Sequence, residues 1–275
     1  GIFSDKMYCV VYVCCNLQIA QQNIDTLSDD EDASVDLAES RLSMQHYVYY
    51  RKKTDLLNNG KDTMVLSLTP ATSFQMSWGT GSVEERALMY ACLTLLDELN
   101  NEKCREWLYR TLKCYAQKSW ERVCKDYCNK VYGFDLQEYR ETVIKTMKIQ
   151  LRKHYAEGRS ILDEIKRLAF GGPIENRANA EFWLIVALRK MFASISLEIL
   201  NPDLVIMDEF QKFSSLIRTD CDSDNESEEN MVARKFFANK GTYILLLSAT
   251  PYKPYTTIEE LNETNNDEQY RDFHR

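Results

Sequence analysis

The stretch NPDLVIMDEFQKF, residues 201–213, decides how this chain is read. Leu204, Val205, Ile206 and Met207 form a short apolar run of the kind a buried strand needs, and they lead straight into two adjacent carboxylates, Asp208 and Glu209. Where the strands of a nucleotide-hydrolysing α/β sheet end, one carboxylate can hold Mg²⁺ through water while its neighbour orients and deprotonates the attacking water. An acidic pair after an apolar run is common by chance. Its weight comes from a second stretch, YILLLSAT at residues 243–250, another apolar run that ends in small hydroxyl residues.

Together the two stretches resemble motifs II and III of the superfamily 2 helicases and translocases, the group that contains the DEAD-box and DEAH-box proteins. DEFQ at residues 208–211 stands where those families have DEAD or DEAH, and Ser248, Ala249 and Thr250 match the SAT motif. More narrowly, PDLVIMDEFQKF followed by LLLSATPYKPYT looks like a group of bacterial helicase-like proteins. The resemblance implies an α/β fold, a three-layer RecA-like P-loop NTPase domain with a mostly parallel sheet, incomplete at its N-terminus. It also implies roles: Asp208 on Mg²⁺ through water, Glu209 on the water that attacks ATP, Gln211 linking the ATP site to its surroundings, and Ser248 and Thr250 coupling hydrolysis to domain movement.

Upstream segments extend the series. Residues 8–15, YCVVYVCC, are β-branched and aromatic and predict a fully buried strand, followed by Asn16 and a helical pattern. CNLQIAQQ at this junction resembles motif Ia, PTRELAxQ in DEAD-box proteins, with Gln22 at the family's Gln; Leu17 and Gln18 replace its Arg and Glu, so a specific salt bridge is lost. A polar turn at a helix N-terminus can hold a nucleic-acid phosphate, although taken alone Asn16 reads more readily as an ordinary N-cap. Residues 62–68, DTMVLSL, predict the next strand, which runs into Thr69, Pro70, Ala71, Thr72 and Ser73. This resembles motif Ib, whose hydroxyls and amides suit phosphate contacts, although a Pro-containing turn rich in Ser and Thr reads the same way. The nucleic-acid contacts implied are thus Asn16, Gln18, Gln22, Thr69, Pro70, Thr72 and Ser73.

Residues 41–58 read as mixed. From about residue 83 to 169 the pattern is helical, with apolar residues at three and four spacing and no β-rich run. This region separates motifs Ib and II far more than a minimal DEAD-box core does, and it is read as a helical insertion over residues 81–172, between a first part of the domain at 1–80 and a second at 173–275. Gly171, Gly172 and Pro173 mark the return to the sheet, and an amphipathic helix is expected over residues 179–200. Residues 103–153 hold thirteen bases against six acids, interleaved with Trp107, Tyr109, Tyr115, Trp120, Tyr127, Tyr132 and Tyr139. Such interleaving suits a single strand, which would ride on it by phosphate neutralisation and stacking; docking of a protein partner and a purely structural core are the other readings.

The bulk properties set limits. The 275 residues are 44% hydrophobic and 28% charged, with a net charge of −8 that is concentrated in acidic stretches such as residues 219–230. No apolar run is long enough to span a membrane, and no signal peptide is recognisable, so a cytoplasmic protein with no membrane partner is expected. Nine cysteines without regular pairing read as reduced thiols. No GxxxxGK[ST] phosphate loop occurs in the sequence. Because family order puts that loop ahead of motif Ia, the expectation is a piece of a longer ATP-dependent helicase or translocase. It would use ATP and Mg²⁺ on nucleic acid, DNA in preference to RNA, together with a second RecA-like domain, and would be inactive as an ATPase alone. The alternative is a helicase-derived module that binds nucleic acid or protein without hydrolysis.

Overall fold

The computed structural model describes residues 7–14, 23, 40–69, 73, 79–116, 118–133, 136–171, 174–209 and 241–248. Four strands, β1 (Tyr8–Val13), β2 (Thr63–Leu68), β5 (Leu204–Asp208) and β6 (Tyr243–Leu247), form one sheet in the order β2-β1-β5-β6. Every neighbouring pair is parallel. Parallel strands need long crossovers, and among the described residues helices lie in those from β1 to β2 and from β2 to β5. After a 3-10 turn at Leu42–Met44, α1 (Gln45–Asn58) leads into β2. Between β2 and β5 lie α2 (Val83–Leu93), α3 (Glu102–Lys113), α4 (Trp120–Tyr132), α5 (Gln137–Gln150), a hairpin of β3 (His154–Ala156) and β4 (Arg159–Ser160), α6 (Ile161–Phe170) and α7 (Arg177–Leu200).

The period-2 alternation of the strands sorts their side chains onto two faces. Cys9, Val11, Val13, Met64, Leu66, Leu68, Val205 and Met207 join a continuous core with the helices from α1 to α7. Tyr12, Cys14, Val65 and Ile206 form a small cluster on the opposite face, with Val10 and Leu204 packed against it. The described helices contribute to the first cluster only. Among the described residues, no helix covers the second face, so the three-layer arrangement expected from the sequence is seen only as a parallel sheet with helices on one face.

Three features differ from the sequence reading. The mixed segment is the helix α1, which buries His46, Tyr47, Val48 and Tyr50; its aromatic and β-branched residues are weak helix formers, and packing decides its structure. The helical region is interrupted by the β3–β4 hairpin, whose two turn residues, Glu157 (φ 49°) and Gly158 (φ 75°), both take the left-handed conformation of a tight hairpin turn. The last helix, α7, is not amphipathic. It buries Leu184, Ile185, Val186, Leu188, Arg189, Met191, Phe192, Ala193, Ile195, Ser196 and Leu200, so most of its circumference is covered, as befits a helix at the centre of the bundle.

Arg189 on that central helix pairs with Glu85 of α2 at 2.9 Å, and both side chains are almost wholly buried. Glu85 also accepts from Ser43 Oγ and closes a capping box with Ser82 at the start of α2, while Arg189 donates to the Gly79 carbonyl at 2.9 Å. Gly81 (φ 77°) passes against this pair, and a Cβ there would meet Glu85 Oε2 at 2.1 Å. Only glycine fits both the backbone and the space. A second buried polar group is His46, stacked between Tyr139 and Phe192, with the Tyr139 hydroxyl 3.0 Å from Nδ1. Its Nε2 is buried without a hydrogen-bond partner.

Two outcomes follow from these groups. Replacing Arg189 by Met strands a buried carboxylate and should lower unfolding stability by about 3–5 kcal/mol in urea titrations. Burial pushes the His46 pKa down from 6.5 to about 3, so the unfolded chain binds this proton more tightly than the folded one. The stability His46 contributes as a neutral ring is therefore complete above pH 6.5 and declines as pH falls towards 3. Between pH 7 and 5 the loss should reach about 2 kcal/mol, and His46→Gln should remove that part of the pH dependence.

Candidate active site at the carboxyl edge of the sheet

The register brings the motif-bearing strand ends into a row. Val13 of β1 lies opposite both Leu68 of β2 and Met207 of β5, and Asp208 lies opposite Leu247 of β6. The residues that leave the strands at this edge are consequently Thr69, Cys14, Glu209 and Ser248, in the spatial order β2-β1-β5-β6. The chain leaves β1 towards one side of the sheet and β5 towards the other, so the β1–β5 boundary is a topological switch point, the place where open α/β sheets bind ligands.

Asp208 stands at that boundary. Its Oδ2 accepts a 2.7 Å hydrogen bond from the Tyr12 hydroxyl and lies 3.9 Å from the Cys14 thiol, both on β1 or just past its end. Asn23 Nδ2 donates to the same Tyr12 oxygen at 2.6 Å. Burial, and then the bond to Asp208, raise the Tyr12 pKa, so the phenol stays a proton donor that orients the carboxylate. Tyr12, Cys14 and Asn23 escaped the motif reading. The alternation of β1 was the available signal, because it puts residues 10, 12 and 14 on the face where β5 carries Ile206 and Asp208.

Glu209 takes φ 53°, the left-handed region that is disfavoured for residues with a Cβ, and is half-buried. Such strain costs about 1–3 kcal/mol and collects at sites where function fixes the backbone. One residue beyond β6, Ser248 has its Oγ buried without a hydrogen-bond partner. An acidic pair on a turned strand end, with an unsatisfied hydroxyl on the adjacent strand, fits a hydrated Mg²⁺ and a phosphate, since Mg²⁺ takes one or two carboxylates and keeps several waters. Asp208 would hold the ion through water.

Thr69 and Ser73 are buried, and their hydroxyls face inward. Ser40 Oγ and Thr69 Oγ1 are 3.2 Å apart, and Ser73 Oγ accepts from the Leu42 amide at 3.2 Å and donates to the Ser40 carbonyl at 3.3 Å. These hydroxyls fasten the end of β2 to the turn before α1. Asn16, Gln18, Gln22, Pro70, Thr72, Gln211 and Thr250 lie outside the described residues. A separate shallow cavity of about 470 Å³, lined by Tyr90, Glu102, Arg105, Glu106 and Tyr109, includes none of the motif residues.

The strained conformation of Glu209 gives a direct check. Glu209→Gly should raise unfolding stability by about 1 kcal/mol in urea, because glycine adopts this conformation freely. In comparisons with known proteins, no family model matches the chain, and neither a curated protein nor a solved structure matches it.

Proposed function

We propose that the chain is the catalytic-carboxylate part of the first RecA-like domain of an ATP-dependent nucleic-acid helicase or translocase. The observation that carries this reading is the row of strand ends: four parallel strands whose DEFQ, SAT, Ia-like and Ib-like segments leave at one edge, with Asp208 oriented by Tyr12 at the switch point. Unrelated strand ends in an α/β domain would have no reason to combine this order with the motif series. Bound Mg-ATP supplies the electrophilic phosphorus and the scissile anhydride. On the protein side, Asp208 would hold the hydrated cation, Glu209 would take a proton from the attacking water, and Gln211 would join this pair to its surroundings. Ser248, one residue beyond β6, and Thr250 would register whether the phosphate is present and couple it to domain movement.

The sheet edge at β6 supports the same reading. Tyr243, Ile244, Leu245, Leu246 and Leu247 are all exposed, from 39% to 78%, on both faces of the strand. A run that is apolar on both faces belongs inside a parallel sheet. A further strand paired here, carrying a Gly-Lys-Ser/Thr loop at its carboxyl end, would bring phosphate-binding amides beside Asp208 and Glu209. Such a loop is what the two carboxylates require as their counterpart. No helix of the described residues is long and apolar enough to cross a membrane.

In the protein assayed with its phosphate loop, Glu209→Gln should leave nucleotide affinity intact and lower hydrolysis by about 100-fold or more, measured as phosphate release. Wild-type hydrolysis in this variant would remove Glu209 from the mechanism. Failure of both proteins to bind nucleotide would favour a binding module without ATPase activity.

A further inference from the structure

Most aromatics of the helical region are core. Trp107, Trp120, Tyr127 and Tyr139 are buried, and Tyr109 and Tyr155 pack against the same cluster. Two are exposed: Tyr132, at 50%, whose hydroxyl donates to Thr94 Oγ1 at 3.3 Å, and Tyr115, far more open at 92%. It sits in the turn between α3 and α4, directly after Cys114, whose backbone takes φ 50° and ψ −124°, a strained conformation for a residue with a side chain.

The turn is nevertheless firmly held. The Cys114 amide donates to the Thr111 carbonyl at 3.2 Å, the Ala116 amide to the Lys113 carbonyl at 3.0 Å, and the Cys114 thiol lies 3.8 Å from Thr80 Oγ1. Arg86 of α2 clamps its base, donating to the carbonyls of Leu112 (2.7 Å), Thr80 (3.2 Å) and Gly81 (2.6 Å). A strained, clamped turn that presents a large ring to water gains nothing for folding from that ring.

The charge around the ring is one-sided. Residues 107–120 contain Arg110, Lys113 and Lys118 and no acid, in a chain whose net charge is −8. Arg110 and Lys118 are exposed and Lys113 is half-buried; Arg122 is exposed one turn further on, with Glu121 the nearest acid. Among the described residues from 107 to 131, Tyr115 is the one large apolar side chain that is exposed, where a protein interface would centre on several. The turn is also tied to the carboxyl edge of the sheet. Thr80 and Gly79 lie on the segment that follows β2, and hydrogen bonds run from Gly79 through Arg189, Glu85 and Ser43 to the turn where Leu42 holds Ser73.

We propose that Tyr115 stacks on an unpaired base of a single-stranded nucleic acid passing the carboxyl edge of the sheet, with Arg110, Lys113 and Lys118 on the adjacent phosphates. A flat ring with a polar rim, flanked by cations, matches the alternation of base and phosphate along a strand. The inference rests on the nucleic-acid half of the function proposed above and is independent of nucleotide hydrolysis.

The test is fluorescence anisotropy of the full chain with a labelled oligothymidylate, an oligouridylate of equal length and a blunt duplex. Tyr115→Ala should weaken single-strand binding by about tenfold, without changing thermal unfolding or duplex affinity. Tyr115→Trp should keep the affinity, and the emission of its new indole should fall as the oligomer is added. Lys113→Ala should lower the slope of log affinity against log salt by about 0.7 on a single strand. Unchanged affinity in Tyr115→Ala, an equal loss on the duplex, or an unresponsive indole in a protein that binds would each overturn the proposal. Absence of any single-strand binding by the wild-type chain would also overturn it, while the ATP-site reading would stand or fall on the Glu209→Gln assay.

Discussion

One buried carboxylate fastens the start of α2 to the central helix and to the turn before α1. Glu85 caps α2, pairs with Arg189 of the central helix and accepts from Ser43 beside the end of β2. Taking two charges out of water is expensive, and their mutual attraction compensates only when the remaining hydrogen-bonding positions are also filled. Here they are filled by a helix cap, a hydroxyl and a loop carbonyl. Each partner comes from a different segment, so the pair forms only when those segments are correctly placed. An apolar pair of similar size would tolerate a shift of register between α2 and α7, and this one does not.

That interaction also explains why the helical region is not a loosely attached appendage. The hydrophobic cluster runs without a break from Val11 and Met207 on the sheet through Leu88 and Phe192 to Trp120 and Val143 in the helices. The helical region and the sheet therefore share one core. A contact made at the α3–α4 turn reaches the carboxyl edge through packed side chains and hydrogen bonds rather than through a flexible joint.

Much of this was legible in the sequence, for physical reasons that differ by segment. The four strands were readable because each is a short apolar run ended by polar or turn residues, and Asp208, Glu209 and Ser248 could be located by the motifs at those ends. Tyr12 and Asn23 were not, because their role depends on which strand lies beside β5, a long-range fact with no local signature. Thr69 and Ser73 looked like surface hydroxyls because the sequence does not reveal that Ser40 and Leu42 return to meet them. The interleaved aromatics left stacking, partner docking and a structural core all open; tertiary packing turned Trp107, Trp120, Tyr127 and Tyr139 inward and left Tyr115 and part of Tyr132 in solvent, a distinction that spacing alone does not encode. The α7 pattern read as amphipathic because Glu181, Lys190 and Glu198 break the apolar run, yet helices pack around most of the circumference.

The open side of β6 bears on how the protein must be made. A strand whose backbone amides and carbonyls point outward, with apolar side chains above and below, is a template for any extended chain that reaches it. Any strand that pairs there must do so before a competing chain does, so partnering of this edge is a race between assembly and aggregation, decided by concentration and by the order in which segments emerge during synthesis. An unpaired β6 should promote association, and a charged residue placed at Leu245 would slow that association without touching the carboxyl edge.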